Sequence, residues 1–338
     1  MKKILVTGGA GYIGSHTIVD LIQNGFEVVS VDNFSNSEPE SIAQIEQITG
    51  VKVHNYNIDL CDAVATRQIF ETHPDFVGVI HFAAHKAVGE SVEKPLMYYK
   101  NNLGSLINVL QCVNDFKIPH FIFSSSCSVY GNSKELPVTE NTPFGIAESP
   151  YGFTKQIGEK LIGDFLISSS YPKAIALRYF NPAGAHPSLL MGESAKVRAY
   201  NLVPVITEVV AGKRAELIVY GDDYATRDGS CVRDYIHVCD VARAHTLALK
   251  LAMKNENMPR YEVFNLGVGA GVSVFEVIKA FKEANNFEVK YSVGARRAGD
   301  VGSIYCQIDK AKNVLGWSPQ YSMRDIMHSA YEWEKKRN

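Results

Sequence analysis

GGAGYIG, residues 8–14, decides the fold. It follows the short apolar run KKILVT and precedes an apolar-periodic stretch, so it reads as a turn from a buried strand into a helix. Gly8 permits a sharp turn, Gly11 lets the backbone approach a pyrophosphate, and Gly14 allows helix and strand to pack closely. The helix is expected from about Ser15 to Asn24, stopped by Gly25, and its N-terminus offers free N–H groups to an anion. The next strand, FEVVSVDN, ends at Asp32, 18 residues beyond Gly14. A carboxylate there can accept from both ribose hydroxyls and repels a 2′-phosphate, so the cofactor expected is NAD rather than NADP. Asn33 and Phe34 follow it, with no basic residue to welcome a phosphate.

Outward from this turn the pattern repeats. VKVHNYNIDL, FVGVIHFAA, HFIFSSS, AIALRYFN and YEVFNLG are apolar strands separated by helical segments. Continuously apolar strands alternating with helices mean a parallel sheet covered on both faces. The expected fold class is α/β, a doubly wound, mostly parallel Rossmann sheet with a smaller, partly interleaved C-terminal lobe. Residues 1–180, with 235–268 returning to them, form the expected NAD-binding domain; 181–234 and 269–338 form the second lobe.

Composition bounds the alternatives. The 338 residues are 46% hydrophobic and 21% charged, with a formal net charge of −2 and no basic block. Neither a nucleic-acid nor a membrane partner is expected. Six scattered cysteines form no Cys-x-x-Cys pair, no secretory h-region follows Met1, and the ten histidines show no metal-ligand spacing. The expectation is a cytoplasmic protein without a metal.

SPYGFTK, residues 149–155, places Ser149 as an N-cap and Pro150 at the first helical position, with the helix running to about Ser169. Tyr151 and Lys155 then share one face, a turn apart. Tyrosine ordinarily titrates near 10, too high for a base at neutral pH. A neighbouring ammonium, the helix N-terminus and an oxidised nicotinamide would each favour the phenolate and lower that value. SSSCSVYG, residues 124–131, ends a strand at the same edge of the sheet, where a serine hydroxyl can bridge tyrosine and substrate.

With Gly-x-x-Gly-x-x-Gly, the serine run and Tyr-x-x-x-Lys in this order, the chain resembles the extended short-chain dehydrogenase/reductases. HFAAHKAVGESVEKPLMYYKNN, LRYFNPAGAHPS, VRDYIHVCD and RRAGDV make it similar, over about residues 3–333, to the UDP-glucose 4-epimerase family. That resemblance implies Ser126, Tyr151 and Lys155 as catalytic residues. The NAD contacts it implies are Gly8, Gly11, Tyr12, Ile13, Asp32, Asn33, Asp59, Leu60, Phe82, Ala83, Lys86, Asn101 and Tyr179, beside Gly14 of the turn. The UDP-sugar contacts it implies are Asn181, Asn201, Leu202, Arg233, Arg297 and Asp300, with Ile218 and Tyr220 of LIVYG near the uracil. Planar arginine forks suit a diphosphate, although either arginine could instead pair with Asp234 or Asp300. Ile304 falls at the family's sugar-pocket gate, where small residues admit N-acetylated sugars and tyrosine excludes them. Tyr200 stands where the family often has a second asparagine before Asn201.

The implied activity is reversible C4 epimerisation through a 4-keto sugar with NAD as transient hydride acceptor, and the implied assembly is a homodimer. Related 4,6-dehydratases carry an Asp-Glu pair beside the hydroxyl residue; Cys127 and Ser128 stand there instead, which disfavours elimination. An epimerase of N-acetylated or other UDP-sugars, a net NAD-dependent oxidoreductase and a non-catalytic NAD-binding regulator are the other readings.

Overall fold

The computed structural model describes residues 1–194, 200–297 and 300–337. Its centre is a sheet of seven strands. Six are β1 (Lys2–Thr7), β2 (Phe26–Val31), β3 (His54–Tyr56), β4 (Phe76–His81), β5 (His120–Ser126) and β6 (Lys173–Tyr179); the seventh is Tyr261–Leu266. The order is the Tyr261–Leu266 strand, then β6, β5, β4, β1, β2 and β3, with every pairing parallel. Of VKVHNYNIDL only the three residues of β3, at one edge of the sheet, are paired.

Strand periodicity divides the core between two faces. Ile4 and Val6 of β1, Ile122 of β5, and Ile175 and Leu177 of β6 enter one cluster. Leu5, Phe121, Phe123, Ala174 and Ala176 enter the other. The first face is closed by Ile18, Val19 and Leu21 of α1 (Tyr12–Gln23) and by Val241, Ala244, Ala248 and Leu249 of the Val238–Lys254 helix. The second is closed by Leu106, Val109 and Leu110 of the Pro95–Asp115 helix and by Ile162 and Leu166 of the Pro150–Ser168 helix. Each such side chain contributes roughly 1.5–3 kcal/mol on leaving water, which is why runs apolar at every position become the interior.

A third cluster joins Val203 and Ile206, Val277 and Phe281, and Ile326 and Met327, from the Leu202–Val210, Val274–Asn285 and Met323–Lys336 helices. The segment from Ile304 to Trp317 also adds apolar side chains to the first cluster of the central sheet. Among the described residues no helix is long and apolar enough to cross a membrane.

One boundary differs from expectation in a way that matters. The first helix begins at Tyr12, three residues before Ser15, because Gly11 is itself the N-cap in an extended conformation. The amides of Tyr12, Ile13 and Gly14 therefore form its open first turn.

Candidate active site

The carboxyl ends of the strands, around the switch between β1 and β4, open into one cleft. Every residue expected to contact NAD lines it: Gly8, Gly11, Tyr12, Ile13, Gly14, Asp32, Asn33, Asp59, Leu60, Phe82, Ala83, Lys86, Asn101, Ser126, Tyr151, Lys155 and Tyr179. Gly8 has φ +69°, and a Cβ on it would come within 2.8 Å of the Ala83 amide nitrogen. A Cβ on Gly14 would sit 2.2 Å from the Gly8 carbonyl, so this glycine protects the turn itself. On Gly11 the nearest protein atom would be the Gly8 carbonyl at 3.1 Å, with nothing else within 4 Å, which leaves room for a ligand above the backbone. Gly14→Val is expected to distort the turn and lose bound nicotinamide cofactor, read by absorbance after acid release; cofactor content equal to the parent's would contradict this use of the turn.

Asp32 already organises its loop, its carboxylate accepting from the Ala10 amide (3.1 Å), the Phe34 amide (2.9 Å) and the Ser37 hydroxyl (2.7 Å). Lys86 lies over the Tyr12 ring at 5.8 Å and is paired with Glu193 at 3.0 Å.

The Ser149 hydroxyl caps the Pro150–Ser168 helix by accepting from the Gly152 amide at 3.1 Å, which sets Tyr151 in its first turn. The Lys155 ammonium lies 5.8 Å from the Tyr151 ring centre and donates to the Ser124 carbonyl at 2.7 Å. The Ser126 hydroxyl accepts from the Ser128 amide at 3.2 Å and lines the cleft together with Tyr151. Although part of the ring opens on the cleft, burial pushes the Tyr151 hydroxyl up to about 12, with the Ser126 hydrogen bond only partly opposing it. Burial likewise pushes Lys155 down to about 8, against the opposing charge of Glu159. In the dry pocket the desolvation of each charged form outweighs the neighbours that would favour it. The lowering expected from sequence also counts the charge of an oxidised nicotinamide beside the ring.

Seven of the nine expected UDP-sugar positions outside the catalytic group line the same cleft: Asn181, Asn201, Leu202, Arg233, Arg297, Asp300 and Ile304. The Arg297 guanidinium pairs with Asp300 (3.1 and 2.8 Å), the alternative to a free diphosphate fork, while Arg233 donates to the Val232 carbonyl at 2.9 Å rather than to Asp234. Ile218 and Tyr220 do not line it. They alternate outward on the Leu217–Tyr220 strand, 43% and 42% exposed, although the Tyr220 ring lies 5.4 Å from the Arg297 guanidinium. Ser124, Glu193 and Tyr235 also line the cleft and were missed. Strand periodicity could have paired Ser124 with Ser126; nothing in the sequence signals Glu193.

The residues fit a polar dinucleotide and a second ligand. Asn36 Oδ1, Ser128 Oγ and Asn181 Oδ1 are buried without a hydrogen-bond partner, and all three residues line the cleft. Buried polar atoms are rarely left so.

Fold and cleft together define an extended short-chain dehydrogenase/reductase. The family model described as GDP-mannose 4,6 dehydratase matches residues 5–330. The UDP-glucose 4-epimerase of Haemophilus influenzae is 43% identical over 332 residues, covering 98% of this chain and 97% of that protein. The UDP-glucose 4-epimerase structure from Bifidobacterium longum, in complex with NAD+ and UDP, has a TM-score of 0.94 at 42% identity, covering 99% of this chain and 98% of that one. That from Stenotrophomonas maltophila, with bound NAD and formylated UDP-arabinopyranose, has a TM-score of 0.95 at 39% identity, covering 100% and 99%. The chain belongs to the UDP-glucose 4-epimerase family.

Proposed function

We propose that this protein interconverts UDP-glucose and UDP-galactose by inverting C4 of the sugar, with NAD held in the cleft. The observation that carries this reading is the shared cleft: the glycine turn, Ser126, Tyr151, Arg233 and Arg297 all line it. Membership of the epimerase family supports it over the N-acetylated-sugar alternative. The dehydratase description of the family model does not carry over to chemistry. Cys127 and Ser128 follow Ser126 where related dehydratases carry an Asp-Glu pair, which disfavours elimination.

The α1 amides and Gly11 would hold the cofactor pyrophosphate, Asp32 the adenosine ribose, and Lys155 the nicotinamide ribose. Bound there, NAD would accept hydride from C4 and return it. Tyr151 takes the C4-hydroxyl proton, Ser126 steers it, and the same phenol gives it back. Arg233, Arg297 and Asn181 grip the nucleotide, so that the sugar can turn about its diphosphate while UDP stays anchored. A tight hold on UDP and a loose hold on the sugar let one site serve both epimers.

Incubation with UDP-galactose, without added NAD, tests the reading. UDP-glucose formed without NADH release supports it. NADH accumulation would replace it with a net oxidoreductase, and no turnover with a regulator.

Ile304 is buried beside Arg233 in register. Its intermediate size favours the plain hexoses. Ile304→Gly is expected to raise kcat/KM for UDP-N-acetylgalactosamine relative to UDP-galactose by about tenfold or more, because a few methylenes change discrimination by that order. An unchanged ratio would remove the gate role.

The second lobe, 181–234 and 269–338, would carry the sugar-nucleotide site, and the location is cytoplasmic. The assembly proposed is a homodimer through the Pro95–Asp115 and Pro150–Ser168 helices. Their outer groove, lined by Ile107, Leu110, Phe153, Leu161 and Phe165, leaves Ile107 50% and Phe153 45% exposed. Ile107→Asp should halve the mass measured by light scattering, and a parent already monomeric would end the idea.

A further inference from the structure

One charged pair lies inside the molecule directly behind the reactive residues. Glu159 and Arg178 are both buried and doubly joined, Arg178 Nε donating to Glu159 Oε1 at 2.9 Å and Nη2 to Oε2 at 2.7 Å. The Ser125 hydroxyl donates to the same carboxylate, as does the Tyr261 hydroxyl at 3.5 Å. Arg178 Nη1 donates to the Tyr130 hydroxyl at 2.9 Å, which donates onward to Asn265 Oδ1 at 2.6 Å. A buried ion pair of this kind is weak evidence for stability, since packed apolar residues often do as well. Its place in the fold suggests another use.

Ser124 and Ser126 line the cleft, whereas Ser125 points to the opposite face of β5. Tyr151, Lys155 and Glu159 lie on successive turns of one stripe of their helix. The strand and the helix are thus joined by two adjacent rungs: the Ser124 carbonyl with Lys155, and Ser125 with Glu159.

We propose that the Glu159–Arg178 pair is a positioning unit for the reaction: it sets the register of the serine strand against the tyrosine helix and places a carboxylate one helical turn from Lys155. The groups around Lys155 are few. The Phe123 ring lies 5.0 Å and the Tyr151 ring 5.8 Å from its nitrogen, and the Ser124 carbonyl accepts from it. From β4 comes His81, neutral because burial pushes it down to about 3, and hydrogen-bonded to Thr7 at 2.9 Å. Among the described residues Glu159 is the anion that opposes the burial of Lys155. Removing that carboxylate lowers the lysine further, so the ammonium is lost at a lower pH and the high-pH limb of activity moves down.

The kinetic part of this inference rests on the epimerase reading; its titration part does not. The test uses holoenzyme labelled with 13Cε-lysine, the Lys155 resonance identified by its loss in Lys155→Met. In Glu159→Gln/Arg178→Met, which removes both charges together, the Lys155 midpoint should fall by about one unit or more. The kcat for UDP-galactose at pH 8 should fall about tenfold, with KM nearly unchanged. Ser125→Ala keeps the charge and loosens only the rung, so kcat should fall by several-fold, about threefold or more, with the Lys155 midpoint unmoved. An unmoved midpoint in the double variant overturns the charge role, and full kcat in Ser125→Ala overturns the register role. A parent without epimerase activity would overturn the reading under Proposed function while the titration still decides the charge role.

Discussion

Tyr151→Phe is expected to lower kcat on UDP-galactose by about 10³-fold while UDP affinity stays within about twofold of the parent. The ring remains to fill its place, so the loss isolates the hydroxyl. That hydroxyl is the acid/base group facing Ser126, and burial has already pushed it up to about 12. The His81 imidazole is no substitute, being buried and neutral. Turnover followed by chromatography of the two UDP-sugars, beside UDP titration calorimetry, separates the effects. Activity near the parent's, or a loss of UDP binding in step with kcat, would remove Tyr151 from the proton transfer.

Lys155→Met is expected to cost about 10²-fold at pH 7, and the deficit should shrink as pH rises. Taking away the ammonium raises the tyrosine further, so below its pKa the phenolate fraction and the rate should grow about tenfold per pH unit. The loss need not reflect unfolding. Lys155 titrates at about 8 in the folded chain against an ordinary 10.5, so the unfolded chain binds the extra proton between those values. Burying the ammonium therefore costs stability, fully so below pH 8, and the cost disappears as pH rises through 10.5. The variant's melting temperature at pH 7 should be no lower than the parent's. A flat pH dependence of the deficit would show that Lys155 acts on nucleotide binding alone.

Much of this molecule is written in short-range pattern. The apolar runs of β1, β5 and β6 declare a sheet buried on both faces, and they divide between two clusters as period two requires. GGAGYIG announces its turn because the chain there tolerates almost no Cβ, as Gly8 and Gly14 demonstrate. Ser149 and Pro150 mark a helix start that local hydrogen bonding alone dictates. The first helix was placed late, at Ser15, because a glycine N-cap carries no side-chain signal.

What only the tertiary structure decided depends on residues far apart in the chain. SPYGFTK and SSSCSVYG show which residue types are present; the fold decides that Lys155 donates to a Ser124 carbonyl and that Ser125 reaches Glu159 on the far side. Glu193 meets Lys86 across 107 positions, and no local rule could have paired them. Ile218 and Tyr220 alternate correctly as a strand, yet which of its faces is buried is set by the helices packed beneath Leu217 and Val219. The tyrosine's high pKa belongs to this group too. Spacing places charges near it, but desolvation depends on how completely the surrounding elements exclude water, and that is a property of the packed whole.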